Sequence, residues 1–556
     1  MPIIDISKTD MFHLLDTEIP DSELETLLAK LKCELEGIED DVVYYEATHD
    51  RPDLFSVEGL VRALKGLLEI EVGLRKFEIF DSEIVLENIG PEYRPVVLGA
   101  VVKGLELNEE AIRQIMQIQE KLHSTYCRDR RKVSIGVYDL SGIVPPIKYL
   151  AVDPRSIKFT PLDMNRPMYL DEILTEHPKG MEYGYIIKGR SKYPILIDSE
   201  DKVLSMPPII NSEETRVTED TKDVFIDVTA VDYRAAMDVM RVIVTSIAER
   251  GERIGLVKVV HQESTTYSPD MHTRSMDLRV DLVSQIVGIS LSAERTKELL
   301  EIMRFGVQSM GKDTLRCEIP VYRLDVLHPV DLVEEVIMAY GYENIEPELL
   351  PPEHSGSEKG LEKFTRVLRE IMVGFRMQEV ANYMMTNKEL LYRRMNLEEQ
   401  PTIEVANPKQ EKYSCLRTWI IPQLIEVLSN SKHAGYPQRI FEIGDVVYVD
   451  YSSENLTRQE RHLAFVIADR AIGLTDALVL IRSLFNTLGI KYSLKAIHHS
   501  SMIDGRCAEI SVKGERIGII GEIHPLVLTN FELEVPVVAC EINVESCLRI
   551  LLSTNP

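Results

Sequence analysis

PVYRLDVLHPVDLVEEVIMAYGY, residues 320–342, is the chain's densest run of polar groups at defined spacings. It holds four carboxylates, one arginine, two prolines and the start of an amphipathic helix in 23 residues. Asp331, Glu334 and Glu335 stand at i, i+3 and i+4, so a helix places all three on one face near its N-terminus. Val333, Val336, Ile337 and Tyr340 follow i, i+3, i+4 and i+7 on the opposite face. Asp325 lies one short segment upstream and can fold back toward the acidic face. The pattern supports two readings that can coexist. Asp331 followed by acidic residues is an ordinary N-terminal cap, where negative charge is favoured. Asp325, Asp331, Glu334 and Glu335 are also hard oxygen donors of the kind a magnesium ion takes.

Upstream of this run, 272–350 reads as one module. A short helix ends at Gly288, and a second is capped by Ser292, carries Thr296, Leu299, Leu300 and Met303, and stops at Gly306. A hairpin turns at Gly311-Lys312-Asp313 with Leu315, Cys317 and Ile319 alternating. Two helices, a hairpin and a third helix have the order of a winged-helix-like module. Downstream, LLPPEHSGSEKG (349–360) reads as a linker. Beyond it come an amphipathic helix (Leu361, Phe364, Val367, Leu368, Ile371) and then mainly strands, with a strand pair at 438–450.

The N-terminal 80 residues read as mixed α/β, with a helix at 22–32. A turn at Pro52-Asp53 leads into a second helix capped by Asp53 or Ser56. From 92 to 260 runs a larger α/β unit. Val96–Val102 is an apolar strand, and Ile112, Ile115, Met116, Gln119 and Leu122 outline a helix capped at Asn108. Arg128, Arg130, Arg131 and Lys132 form the most concentrated basic cluster, read as a solvated face or a phosphate-binding run. VLSMPPIINS (203–212) is expected to be a rigid extended loop. In the strand 224–229, Phe225, Asp227 and Thr229 share one face, which either lines a polar pocket or faces solvent at an edge.

Length alone suggests roughly three to four domains. The 556 residues are 44% apolar and 28% charged, and no apolar run is long enough to span a membrane. The N-terminus has no signal-peptide pattern. Seven scattered cysteines without a CxxC pair fit a reducing cytoplasm and argue against a zinc site or disulfide framework. A net charge of −27 excludes a chain that grips nucleic acid over its whole surface; any RNA contact needs a local basic patch.

Seven stretches in order resemble the β subunits of phenylalanyl-tRNA synthetases of the archaeal and eukaryotic type. They are THDRPDLFSVEG (48–59), RRKVSIGVYD (130–139), SMPPIINSEE (205–214), 319–345, ANPKQEKYSCLRTWIIPQLI (406–425), RIFEIGDVV (439–447) and IGIIGEIHPLVL (517–528). The resemblance implies an α+β multidomain chain: an N-terminal α/β domain at 1–85, an editing domain at 86–268, a winged-helix-like module at 269–350 and a class II catalytic-like domain, an antiparallel sheet with helices, at 351–556. It implies a magnesium ion at Asp325, Asp331, Glu334 and Glu335, shared with an α subunit.

The same resemblance implies an assembly of two α and two β chains that charges tRNA(Phe), with ATP and phenylalanine bound by α. No residue of this chain is expected to catalyse aminoacylation. RIFEIGDVV carries acidic and apolar residues where a class II nucleotide-binding arginine would stand, and IGIIGEIHP lacks the arginine of the third class II motif. Editing of tyrosyl-tRNA is expected from a pocket of Leu204, Asn211, Ser212, Asp227 and Thr229, with Arg128–Lys132 steering the tRNA end. Two rival readings are a nucleic-acid-binding structural protein, opposed by the acidic charge, and a stand-alone trans-editing hydrolase, opposed by the 200-residue platform.

Overall fold

The computed structural model of the chain describes residues 1–262, 264–350 and 355–553. These fall into two compact units, 1–349 and 350–556.

The first unit is built around a ten-stranded mixed sheet. Next to one edge of it runs the strand Val224–Ala230, paired antiparallel to Val96–Lys103 on one side and to the edge strand Val133–Asp139 on the other. This strand is buried along its whole length, so the solvent-edge reading of Asp227 and Thr229 is wrong. Its alternation is as read. Val224, Ile226 and Val228 enter the core beneath the helices Glu109–Ser124 and Tyr233–Ile247, and Phe225 joins Tyr138 and Leu204 on the other face. Residues 203–212 are not an extended loop but a hairpin. Val203–Met206 pairs with Ile210–Asn211, and the Ile209 amide closes the turn on the Met206 carbonyl. Local polarity hid this, because the two prolines sit in the turn and not in the paired residues.

A three-stranded N-terminal sheet (order Ile3–Ser7, Val42–Glu46, Glu34–Glu39) and the winged-helix-like module complete the unit. Ser56, not Asp53, caps the helix Val57–Leu67. In the module the sheet order is Arg274–Arg279, Thr314–Ile319, Gly306–Ser309. The helix Ala293–Ile302 ends before Gly306, with Arg304 in the left-handed region (φ 70). Gly306 opens a strand instead. One continuous hydrophobic core joins Leu60 and Leu64 of the N-terminal part, Ile226 of the large sheet with Met240 of the helix that covers it, and Leu299, Phe305 and Val333 of the module. The boundary expected at 85–86 falls inside the strand Glu78–Ile89, which pairs in parallel with Arg253–Val260.

The second unit is a seven-stranded sheet, antiparallel except for one short parallel edge pair. Helices Gly360–Gly374, Leu474–Thr487 and Val544–Leu552 cover one face, and Ile421–Asn430 the other. Along Thr457–Ala468, Leu463, Phe465 and Ile467 face the first set, and Ala464, Val466 and Ala468 the second. The expected strand pair at 438–450 is one strand, Gln438–Val449, whose partner is Thr457–Ala468. Val367, read as inward, is exposed.

Candidate active site of the large sheet

A hollow of about 310 Å³ opens against the large sheet. Its floor is Ser134–Tyr138 and Asp227, one wall is Ile112, Met116, Gln119 and Glu120 of the helix Glu109–Ser124, and the other is the 205–212 hairpin. Tyr138 Oη donates to Asp227 Oδ1 in a short bond and stands 2.8 Å from Ser205 Oγ. Gly136 faces Asp227 across the ladder, and a Cβ there would collide with both Tyr138 Oη and Asp227 Oδ1. Burial pushes the Asp227 carboxyl up to about 7, against the opposing pull of the Tyr138 hydrogen bond and the Arg94 charge. His177 also lines the hollow, but Nδ1 accepts the Lys179 amide and Nε2 meets the Leu162 carbonyl, so it is held as a helix cap.

The five residues expected to form an editing pocket divide. Asn211, Ser212 and Asp227 line the hollow. Ser212 also caps a short turn by accepting the Glu214 amide. Leu204 and Thr229 are fully buried and do not line it. Thr229 Oγ1 is taken by Arg94 Nε at 2.9 Å, and Arg94, itself buried, also binds Ser134 Oγ and the Thr229 carbonyl. The basic run divides too. Arg128 and Arg131 are exposed and Lys132 half-buried. Arg130 is buried in the hollow's wall and is not a steering charge. It donates to the Pro208 and Ile209 carbonyls at 3.3 and 2.8 Å and to Glu120 at 2.6 Å, over the Tyr183 ring. Its delivery requires Arg128, Asp129 and Arg130 all to adopt left-handed backbone (φ 53, 53 and 61), a conformation that costs about 1–2 kcal/mol per residue.

One wall group was not read as a site residue. Gln119 Nε2 donates to the Ile135 carbonyl at 2.9 Å, which leaves its buried Oε1 without a partner. The signal was present: a polar residue on an otherwise apolar helix stripe. Arg130 Nε is likewise buried and unpaired.

The four carboxylates of 320–342 border a second hollow of about 320 Å³, with Lys32, His49 and Asp50. Asp331 caps the helix Pro329–Tyr340, accepting the Leu327 and His328 amides at 2.7 Å. Asp325 and Glu335 are both held by the buried Arg323, whose charge, against burial, keeps the Asp325 carboxyl far below its usual range. Glu334 receives the Lys32 ammonium at 2.9 Å.

The family B3/4 domain model matches residues 106–262, the tRNA synthetase B5 domain model 276–342, and the phenylalanyl tRNA synthetase beta chain CLM domain model 347–544. The phenylalanine–tRNA ligase beta subunit of Thermofilum pendens is 46% identical over 100% of this chain and 99% of its own length. That of Pyrococcus furiosus is 42% identical over 99% of this chain and 100% of its own. The chain belongs to the phenylalanine–tRNA ligase beta-subunit family. A crystal structure of an N-terminal fragment of the Pyrococcus horikoshii phenylalanyl-tRNA synthetase beta subunit superposes with a TM-score of 0.59 at 41% identity, covering 61% of this chain and all of that fragment.

Aminoacyl-tRNA ligases typically use magnesium. The donors of the carboxylate hollow are of the right chemical kind for it, but their arrangement does not fit the expected ligand set. Arg323 claims two carboxylates, a helix cap the third and Lys32 the fourth. Among the described residues, the carboxylate trio whose oxygens lie within 4.8 Å of one another is Glu34, Glu36 and Glu46, elsewhere. Spacing along a helix aligned the residues but carried no sign of Lys32, which is 302 positions away in sequence.

In the CLM region the sheet buries charges that satisfy one another. Glu442 accepts Arg417 Nη1 at 2.6 Å and Asn382 Nδ2 at 2.7 Å. Arg417 also meets Gln423, and Gly444 leaves it room. Glu541 accepts the Ile420 and Ile421 amides and pairs with His462 at 2.7 Å. Burial would lower the His462 pKa, but Glu460 and Glu541 hold it up at about 9.

Proposed function

We propose that the B3/4 hollow hydrolyses the ester of tyrosine mischarged onto tRNA(Phe), while the chain pairs with an α subunit that performs ATP-dependent charging with phenylalanine. The observation that carries this reading is a buried carboxyl, Asp227, set with Tyr138 at the floor of a mainly apolar hollow large enough for one aminoacyl group. Tyrosine differs from phenylalanine by one hydroxyl, and an apolar synthetic pocket rejects such an addition by only about a hundredfold. A second site that hydrogen-bonds the hydroxyl selects in the opposite sense, because phenylalanine would leave its polar groups unpaired.

With Tyr138 bonded to one Asp227 oxygen, the other remains for the substrate phenol. Poised near neutrality, this carboxyl accepts from or donates to that hydroxyl. Asn211, Ser212 and the unpaired Gln119 Oε1 are left to orient the ester and its water. Hydrolysis of an activated ester needs only a placed water and donors for the developing oxyanion, so no nucleophile–histidine pair is invoked. Arg128, Arg131 and Lys132 are the exposed members of the basic run available to the tRNA backbone. In the CLM region, Glu442 and Glu541 stand with Arg417 and His462 as partners, which supports a pairing platform and leaves synthesis to the α subunit in a two-plus-two assembly.

The test is deacylation of tyrosyl-tRNA by the complex carrying Asp227→Ala. Loss of tyrosine release with phenylalanine charging retained is expected; an unchanged rate removes Asp227 from the site.

A further inference from the structure

Within the first unit lies a small cavity of about 10 Å³, room for one small molecule or monoatomic ion. It is lined by Arg51, Asp53, Arg62, Arg304, Tyr322 and Arg323 together with apolar neighbours. Arg51, Arg62, Arg304, Arg323 and Tyr322 are each at most 4% exposed. Four guanidinium groups around one small void are unusual, because like charges in a dry interior repel strongly. Burial and the Arg323 charge both work against the charged form of Arg51, and Asp53 and Asp325 hold it charged.

The carboxylates that balance these arginines are all engaged. Asp53 gives both oxygens to Arg51, at 3.0 and 2.9 Å. Asp325 and Glu335 bind Arg323. Glu249 meets Arg62 Nη1 at 3.3 Å and Glu71 meets Arg304 Nη2 at 3.1 Å. What remains is a set of buried atoms without partners among the described residues: Arg51 Nη1, Arg62 Nε and Nη2, Arg304 Nε and Tyr322 Oη. Arg62 lies over the Tyr322 ring at 3.6 Å, which fixes the guanidinium plane but supplies no hydrogen-bond acceptor. Buried polar groups are almost always satisfied, so orphans gathered at one void call for an occupant.

The chemistry of the set chooses that occupant. Arginine nitrogens only donate, and among these orphans only Tyr322 Oη can accept. A water brings two hydrogens that need acceptors. A monoatomic anion brings none and accepts from every side. We propose that this cavity binds one halide-sized anion, chloride under ordinary conditions, held by Arg51, Arg62, Arg304 and the Tyr322 hydroxyl. The site ties together three separate parts of the chain: the turn and helix at 51–63, the turn after the helix Ala293–Ile302, and Tyr322-Arg323 just ahead of the carboxylate hollow. Gly66 permits this approach, since a Cβ there would collide with the Ile302 carbonyl and the Arg304 side chain.

The test uses the full-length chain in its complex. At equal ionic strength, the melting midpoint of this unit is expected to be about 3–5 °C higher in chloride or bromide than in methanesulfonate, which is too large to enter. Arg304→Met removes that difference. A crystal soaked in bromide is expected to show a bromine anomalous peak in the cavity. Equal midpoints in the two salts, or a soaked crystal with no bromine in the cavity, overturns the proposal.

Discussion

The hollow of the B3/4 region and the buried charges of the CLM sheet are built from the same residue types and finish differently. In the hollow, among the described residues, Asp227 has one tyrosine hydroxyl and no cation at bonding distance, Gln119 Oε1 has no partner, and about 310 Å³ is left open beside them. On the CLM sheet, Glu442 sits between Arg417 and Asn382, and Glu541 between His462 and two backbone amides. Unsatisfied groups beside an open volume are capacity held for a ligand. Groups that satisfy one another have become structure. The contrast separates an open pocket from a closed charge network without reference to any motif.

Breaking the sheet network should have the largest effect. Glu442→Ala strands the buried Arg417 and is expected to destabilise the second unit by about 3–5 kcal/mol. Urea unfolding followed by Trp419, the chain's single tryptophan, reads this directly, and an unshifted midpoint would mean that the network holds nothing. Tyrosine release under native conditions stays unchanged. In the hollow the pattern reverses. Asp227→Ala removes the partner of the tyrosine hydroxyl and lowers kcat/KM for tyrosyl-tRNA deacylation by about 10–10²-fold, the worth of one hydrogen bond to a charged group, and leaves the Trp419 transition where it was.

Titration sharpens the contrast. The Asp227 carboxyl lies near 4 unfolded and is raised to about 7 when folded. The folded state therefore binds its proton more tightly, and stability falls as pH rises from about 4 through about 7. Asp227→Asn should flatten that part of the stability profile. Tyr138→Phe removes the hydrogen bond that lowers this pKa, so the inflection in the editing rate should move upward; a profile that stays in place would detach the two residues. The smallest effect belongs to the wall. Gln119→Leu, which removes an acceptor that orients the ester and its water, should lower kcat for tyrosyl-tRNA release about tenfold, the worth of one hydrogen bond.

Local patterns in the sequence were good guides to local structure. Ser292 and Asn108 cap the helices they precede, and Asp331 caps the helix of 320–342. The alternation of 224–229 correctly put Phe225 and Asp227 on the face opposite Val224 and Ile226. What failed was everything decided by a distant partner. Thr229 shares Asp227's face, yet Arg94, 135 positions away, takes its hydroxyl out of the hollow. Arg130 looked like one member of a charged run because no local feature announces that a left-handed turn carries it inward. The acidic face of 331–335 was legible as a face, but Arg323 and Lys32 decide what it holds.

The continuous core of residues 1–349 bears on how this protein can be cut. Arg250 of the large sheet's C-terminal side is bonded to both Asp10 and Glu58, and Arg62 reaches the Thr245 carbonyl. A fragment excised at 86–268 would strand the buried Arg250 guanidinium and uncover the side of the helix Tyr233–Ile247 that packs on Val57–Leu67. The smallest piece expected to keep the hollow intact is the whole first unit, so any activity of the hollow travels with its neighbours or not at all.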